Sequence, residues 1–367
     1  MARFHPKRSL VLGLAIAGLA LGLLVSTGWI KTPLAHPSTE PFDRYVQPED
    51  SNDTLTVRFM GTSSLLFTGR DSSILMDGFV SRPGLLRTGV GWIWPDRGRI
   101  DYAQKRLGPL KLAAVFAGHA HYDHAMDAPV WARRTNTRLV GSRSTLMLGC
   151  GIGLPESRLH LVREGVPMRF GEFELTFIES AHGPPDRYPG SIHEPLRPPA
   201  RTKAWKTGIV YSVFIQHRGR TILVQSTAGF KPGALRGRRA DVVYLAIGGL
   251  GHQPLATIDA YWTEVVRATG ARRVILVHWD DFFRALSKPL KPTIYGGDNV
   301  PRGMGRIVEL AASDGVDVRI PPLWTRTDPF DGLAPLPPDT AAPSPTPATL
   351  HSVPSRPYCE PKPGGVR

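Results

Sequence analysis

Cysteine is nearly missing from this chain: Cys150 and Cys359 are the only two in 367 residues. Two cannot build a disulfide framework, and they lack the paired spacing of a thiolate zinc site. Any metal must therefore be held by histidine and carboxylate, and Cys359 reads as an incidental thiol. Acidic side chains are scarce as well, 31 Asp+Glu against 45 Lys+Arg, which gives a formal charge of +14. A surplus of that sign suits anionic partners such as nucleic acid, a membrane surface or a phosphorylated substrate, although an arginine-rich background produces the same count. No internal repeat of short period is present. Apolar residues are not scarce: 41% of the chain, with 8% aromatics, excludes disorder throughout. Gly and Pro together number 73 (38 and 35), so part of the chain is loop or tail.

The charges are unevenly placed. Residues 1–8 carry Arg3, Lys7 and Arg8, and residues 9–30 then run without a charge to Lys31. A basic cluster followed by such a run predicts an export signal or a membrane anchor over residues 1–35. Ser26-Thr27-Gly28 is the best small-residue site for cleavage, and a retained anchor and a cleaved signal both stay open. The rest of the chain is expected on the outer side, membrane-anchored or secreted, and periplasmic in a Gram-negative cell. Residues 36–52 read as a linker. At the other end, residues 321–367 hold 13 prolines with Ser, Thr and Ala between them, which predicts a disordered tail. Residues 197–239 contain ten Lys or Arg and no acid. That stretch is either a solvated face or a patch for anionic head groups or a phosphorylated substrate. Nucleic acid is disfavoured, since export would separate the protein from it.

Residues 53–320 have the pattern of one α/β domain. Short runs rich in β-branched residues at 55–59, 64–67, 74–76, 112–116, 173–178, 209–215, 222–224, 242–247 and 274–277 predict strands. Helical periodicity appears at 257–269, with Ile258, Tyr261, Trp262, Val265 and Val266 on one face, and at 305–312. Two sheets packed face to face with helices outside fit this order.

Directly after the strand at 112–116 comes Gly118-His119-Ala120-His121-Tyr122-Asp123-His124. Three imidazoles and a carboxylate within six residues suit a borderline metal such as zinc, and not calcium or magnesium, which prefer all-oxygen shells. In extended backbone His119 and His121 point the same way, and Asp123 and His124 can address a second ion. The H-x-H-x-D-H pattern resembles the signature of the metallo-β-lactamase superfamily at every ligand position. Three further segments match: Ser73-Ile74-Leu75-Met76-Asp77-Gly78, Ile178-Glu179-Ser180-Ala181-His182-Gly183 and Val274-Ile275-Leu276-Val277-His278-Trp279-Asp280.

The resemblance implies an αββα sandwich with a metal site at one edge between the sheets. It implies His119, His121 and His182 on one ion and Asp123, His124 and His278 on another. Many members bridge the ions with an Asp after the strand that corresponds to 222–224. This chain reads Gln225-Ser226-Thr227-Ala228-Gly229 there, so one ion or two are both compatible with its ligands. The implied activity is zinc-dependent hydrolysis of an ester, lactone, amide or phosphodiester by metal-activated hydroxide. Asp123 would then orient the nucleophile. Asp77 would fix a histidine tautomer or simply form the turn before Gly78, and His252 would contact substrate or sit solvated in its loop. The expected substrate is a small molecule or lipid, anionic if the basic stretch serves it. Two alternatives stand beside this reading: a mononuclear iron dioxygenase acting on sulfur compounds, and a metal-binding protein without turnover. A diiron electron-transfer role is disfavoured, because that branch places an acid where His121 stands.

Overall fold

In the computed structural model, residues 33–49, 54–335 and 358–359 are described, with Gly13, Ile16, Gly18 and Leu19. The anchor or signal expected over residues 9–30 lies outside them apart from those four positions. Among the described residues no helix is long and apolar enough to cross a membrane.

Two seven-stranded sheets face each other. The first runs Arg326–Thr327, Thr56–Phe59, Leu65–Thr68, Ser73–Met76, Leu112–Phe116, Arg138–Gly141 and Leu159–Leu161 across its width. The second runs Asp317–Arg319, Arg273–Val277, Val242–Ala246, Arg220–Gln225, Val210–His217, Phe173–Ser180 and Met168–Phe170. Both are mixed. In the first, Ser73–Met76 and the three strands after it pair parallel. In the second, the four strands from Asp317–Arg319 to Arg220–Gln225 pair parallel.

Alternation along the strands decides which side chains meet between the sheets. Phe67, Ile74, Met76, Ala114 and Phe116 pack there against Phe177, Val213, Ile222, Val224, Tyr244 and Val277. The intervening residues face helices instead. Leu75, Val115 and Leu139 meet Ile100 and Trp131 on one outer face, and Val243, Leu245 and Leu276 meet Ile258, Trp262 and Ile307 on the other. Burial on both faces explains why these parallel strands read as unbroken apolar runs. The chain is thus an αββα sandwich, as its pattern predicts.

The helix expected at 257–269 is Leu255–Trp262 continued by a π-helical turn, Thr263–Arg267, and the one at 305–312 is the middle of Val300–Asp314. The helix Arg97–Leu107 buries only Ile100, Ala103 and Leu107, too thin a stripe to stand out among its charges.

The fold does not stop at residue 320, and the tail expected from there is corrected over residues 321–335 and 358–359, the rest of it lying outside the described residues. Arg326–Thr327 pairs antiparallel with Thr56–Phe59, and Arg273 donates from Nη1 to the Pro329 carbonyl and from Nη2 to that of Asp331. A proline lacks an N–H but keeps its carbonyl, and the Pro329 carbonyl is one of the two that the arginine uses. Cys359 is likewise not an incidental thiol: it forms a disulfide with Cys150, 209 residues away, and Glu156 accepts from the backbone N–H groups of Tyr358 and Cys359. The basic stretch 197–239 meets acids from elsewhere in the chain, Arg218 on Glu172, Arg220 on Asp241 and Lys231 on Glu179.

Candidate metal centre

Strand ends at one edge of the sandwich deliver six donors. The strand Leu112–Phe116 leads through Ala117 and Gly118 to His119 and His121, and the short helix Tyr122–Ala125 then carries Asp123 and His124. A side chain at Gly118 would place Cβ 2.1 Å from Ser226 Oγ, so the approach of the 225–229 loop requires glycine there. His182 follows the strand Phe173–Ser180, and His278 follows Arg273–Val277. The donor atoms of His119, His121 and His182 lie within 4.8 Å of one another, and so do those of Asp123, His124 and His278.

The spacing within each group has the dimensions of a coordination shell. Two nitrogens each about 2.05 Å from one tetrahedral ion sit about 3.3 Å apart. His119 Nε2 and His121 Nδ1 are 3.2 Å apart. In the second triad His124 Nε2 is 3.3 Å from His278 Nε2, and Asp123 Oδ2 is 3.4 Å from each of those nitrogens. The triads are neighbours, with the rings of His119 and His124 4.0 Å apart between centroids.

Hydrogen bonds behind the ligands select their tautomers. Asp77 Oδ2 lies 2.8 Å from His124 Nδ1 and accepts at 2.7 Å from Ser63 Oγ, while Asp77 Oδ1 accepts from the Gly118 N–H. A proton on His124 Nδ1 leaves Nε2 to face the site. Asp77 is fully buried at φ 58°, so it combines the two roles the sequence left open, turn former and histidine partner. His182 Nδ1 is 2.6 Å from the Gly183 carbonyl. His121 Nε2 is 3.0 Å from Thr207 Oγ1 and 3.3 Å from Asp186 Oδ1, and the Thr207 hydroxyl donates to Asp186 Oδ2 at 2.6 Å. Thr207, Asp186 and Ser63 carry no signal in a local pattern. Only Asp186, four residues past His182, stood near enough to a ligand to be suspected.

His278 is positioned through its backbone. It sits at φ 59°, and its N–H donates to the Thr62 carbonyl at 2.6 Å. Thr62, itself at φ 54°, donates its N–H to Asp280 Oδ1, and Asp280 Oδ2 is 2.6 Å from Arg82 Nη2. Both side chains of that ion pair are fully buried.

Burial and the neighbouring imidazoles push His119 well below its ordinary value. Burial, against the pull of Asp123, brings His121 down to about 4, and His182 is lowered by burial as well. These three are neutral near pH 7 and competent as ligands. Burial would raise Asp123, but His124 and His278 overcome it and hold the carboxylate ionised. His124 is lowered by burial yet raised overall by Asp123 and Asp77, a negative surround that a cation would also satisfy. Five imidazoles and one carboxylate, without thiolate, fit a borderline divalent ion.

Two expectations lie outside this set. His252 is exposed on the turn Leu250–His252 and belongs to neither triad, although Gln253 beside it donates to the Pro184 carbonyl in the loop after His182. Where many superfamily members bridge with an Asp, Gln225 braces its own loop, accepting from Ser212 and donating to the Gly229 carbonyl, and Ser226 is buried.

The sequence model of the metallo-beta-lactamase superfamily matches residues 57–198, a span that holds five of the six donors. No curated protein matches the chain. Solved structures to which it is similar include a metallo hydrolase from the archaeon Ignicoccus hospitalis, with 15% identity over 72% of this chain and 94% of that one at a TM-score of 0.44. Another is the metallo-beta-lactamase fold protein YhfI from Bacillus subtilis, with 14% identity over 75% and 100% and a TM-score of 0.45. A third is CmlA, a diiron beta-hydroxylase from Streptomyces venezuelae, with 14% identity over 76% of this chain and 54% of that one at 0.46. With the signature matched over residues 57–198, both strand-end histidines placed and the two sheets paired, the chain is similar to the metallo-beta-lactamase superfamily and has its αββα fold.

Proposed function

We propose that this protein is a zinc-dependent hydrolase acting on an ester, lactone, amide or phosphodiester. The observation that carries the reading is the pair of triads: the three separations in the second and the His119–His121 separation in the first match tetrahedral coordination, with His182 within 4.8 Å of its partners. A zinc ion held there supplies Lewis acidity toward a carbonyl or phosphoryl group and lowers the pKa of water to about 7. The chain's part is orientation. Asp77 and Ser63 hold the proton on His124 Nδ1, Thr207 and Asp186 engage His121 Nε2, and the Gly183 carbonyl engages His182 Nδ1. Asp123, the one carboxylate among the donors, stays ionised and is assigned the task of orienting the nucleophile. Neither triad depends on an acid in the 225–229 loop, so two ions can be held without a bridging Asp.

Metal analysis of protein purified without added zinc, followed by hydrolysis of lactone, β-lactam, ester and phosphodiester panels, tests this reading. We expect zinc at one to two ions per chain, and loss of turnover by a factor of at least about 100 in His121→Ala and in Asp123→Ala. Bound iron with oxygen uptake would establish the dioxygenase alternative instead. Full turnover by metal-free protein would end the metallohydrolase reading.

A further inference from the structure

Exposed large hydrophobic side chains are concentrated in one short segment. Among the described residues twelve are exposed, and five of these stand within ten residues: Leu85, Leu86, Val90, Trp92 and Trp94. Leu86 is 79% and Val90 68% exposed, far more than ordinary partial burial leaves. The segment is nonetheless ordered. Leu85–Val90 is a helix, Trp92–Ile93 pairs with Ala200–Arg201, and Thr202 Oγ1 donates to the Thr88 carbonyl at 2.6 Å. Ile93 and Ala200 point inward into a cluster with Ala120, Tyr122 and Ala125 of the metal-binding loop. The apolar side chains outside are therefore displayed on a fixed base.

Their surroundings are cationic. Between Gly84 and Trp94 the only charge is Arg87, whose guanidinium lies 4.6 Å from the Trp94 ring centre. Arg201 lies 5.5 Å from the Trp92 ring centre, and Arg97, Arg201 and Lys203 are exposed. Leucine and valine flanked by tryptophan and arginine, with no acid between, is the chemistry of a bilayer interface. The aliphatic groups enter the acyl boundary, the indoles sit at head-group level, and the guanidiniums meet phosphate.

Two connections tie this segment to the rest of the argument. His36, six residues after the uncharged run 9–30, lies 3.8 Å from Asp281, whose carbonyl accepts from Arg82, three residues before Leu85. His278 is three residues from the same Asp281, and Thr207, the partner of His121, is six residues from Arg201. The apolar segment, the entry of the chain and the metal centre share one end of the sandwich.

We propose that residues 84–94, with Arg201 and Lys203, form a docking surface that seats this end of the domain on an anionic lipid bilayer. The surface is independent of the hydrolase reading and holds whatever metal the site carries.

The test uses the full chain with Leu86→Cys, labelled with an environment-sensitive NBD fluorophore. Both native cysteines are in the disulfide, so the label is selective under non-reducing conditions. A label at Arg169→Cys, exposed on the strand Met168–Phe170 of the second sheet, is the control. On phosphatidylcholine–phosphatidylglycerol vesicles carrying doxyl-labelled lipid, we expect the label at 86 to be quenched about twofold or more and the control to be unaffected. Replacing Arg87 and Arg201 by Glu should remove most of that quenching. Equal quenching at both positions, or none at 86, would overturn the proposal. A blue-shifted label at 86 that lipid quenchers do not reach would mean that protein covers the patch, the N-terminal segment or a second copy, and would overturn it as well. Quenching that persists in full on phosphatidylcholine alone would overturn its anionic part.

Discussion

The histidines His121 and His182 are braced by groups from irregular segments, whereas His124 and His278 are braced by groups fixed between strand ends. Around the first triad, the partners of His121 are Thr207 and a partly exposed Asp186, and the partner of His182 is its own neighbour's carbonyl. Around the second, Asp77 and Ser63 are buried between strand ends, and His278 hangs from Thr62, which is fastened to the buried pair Asp280 and Arg82. Of the seven non-glycine residues at positive φ among the described residues, four, Thr62, Asp77, Arg82 and His278, belong to the inner support. Such conformations persist where surrounding structure over-determines them. The supports of His124 and His278 are thus tied into the folded core, whereas those of His182 and, in part, His121 belong to the irregular segment after the strand Phe173–Ser180.

The comparison can be broken at three places. The largest effect is expected from Asp280→Ala, which leaves Arg82 as an uncompensated buried charge and the Thr62 N–H without its acceptor. Losing one partner of a buried pair costs about 3–5 kcal/mol, which for a domain of this size lowers Tm on the order of 10 °C. A thermal melt unchanged by this substitution would show that the inner support is not structural. Asp77→Asn comes next: it weakens the partner of His124 Nδ1 without removing volume, and affinity for the ion of the second triad should fall about 10- to 100-fold in a chelator competition. The first triad should keep its ion in the same experiment. Asp186→Asn should have the smallest effect, less than about tenfold at the first triad, because Asp186 is partly exposed and Thr207 still meets His121. If Asp186→Asn weakens metal binding more than Asp77→Asn, the distinction between inner and outer support is wrong.

All six candidate donors were legible in the chain, four because they fall within six residues after an apolar strand, and His182 and His278 because their segments resemble a known family. The short apolar runs that form the two sheets were equally visible. Thr207 and Asp186 were not, since they reach His121 from irregular loops 86 and 65 residues away along the chain, where no periodicity marks them. The Asp280–Arg82 pair, 198 residues apart, is invisible for the same reason. Composition misled at the C-terminal end: proline-rich sequence suggested a free tail, yet a two-residue strand, two backbone carbonyls and a disulfide tie parts of it to the domain. Of the basic stretch, the pairings of Arg218, Arg220 and Lys231 were illegible, because the acids that meet them lie outside it in sequence.

The amino-acid sequence therefore carried the fold class and the His-x-His-x-Asp-His motif in residue types and short apolar runs, and pointed to His182 and His278 as candidate donors through resemblance to a family. Only the tertiary structure decided how closely the donors of each group approach, which buried groups set their tautomers, and that five exposed hydrophobic side chains stand together beside them. Those properties arise from contacts between residues tens to hundreds of positions apart, which chain folding creates and local pattern does not encode.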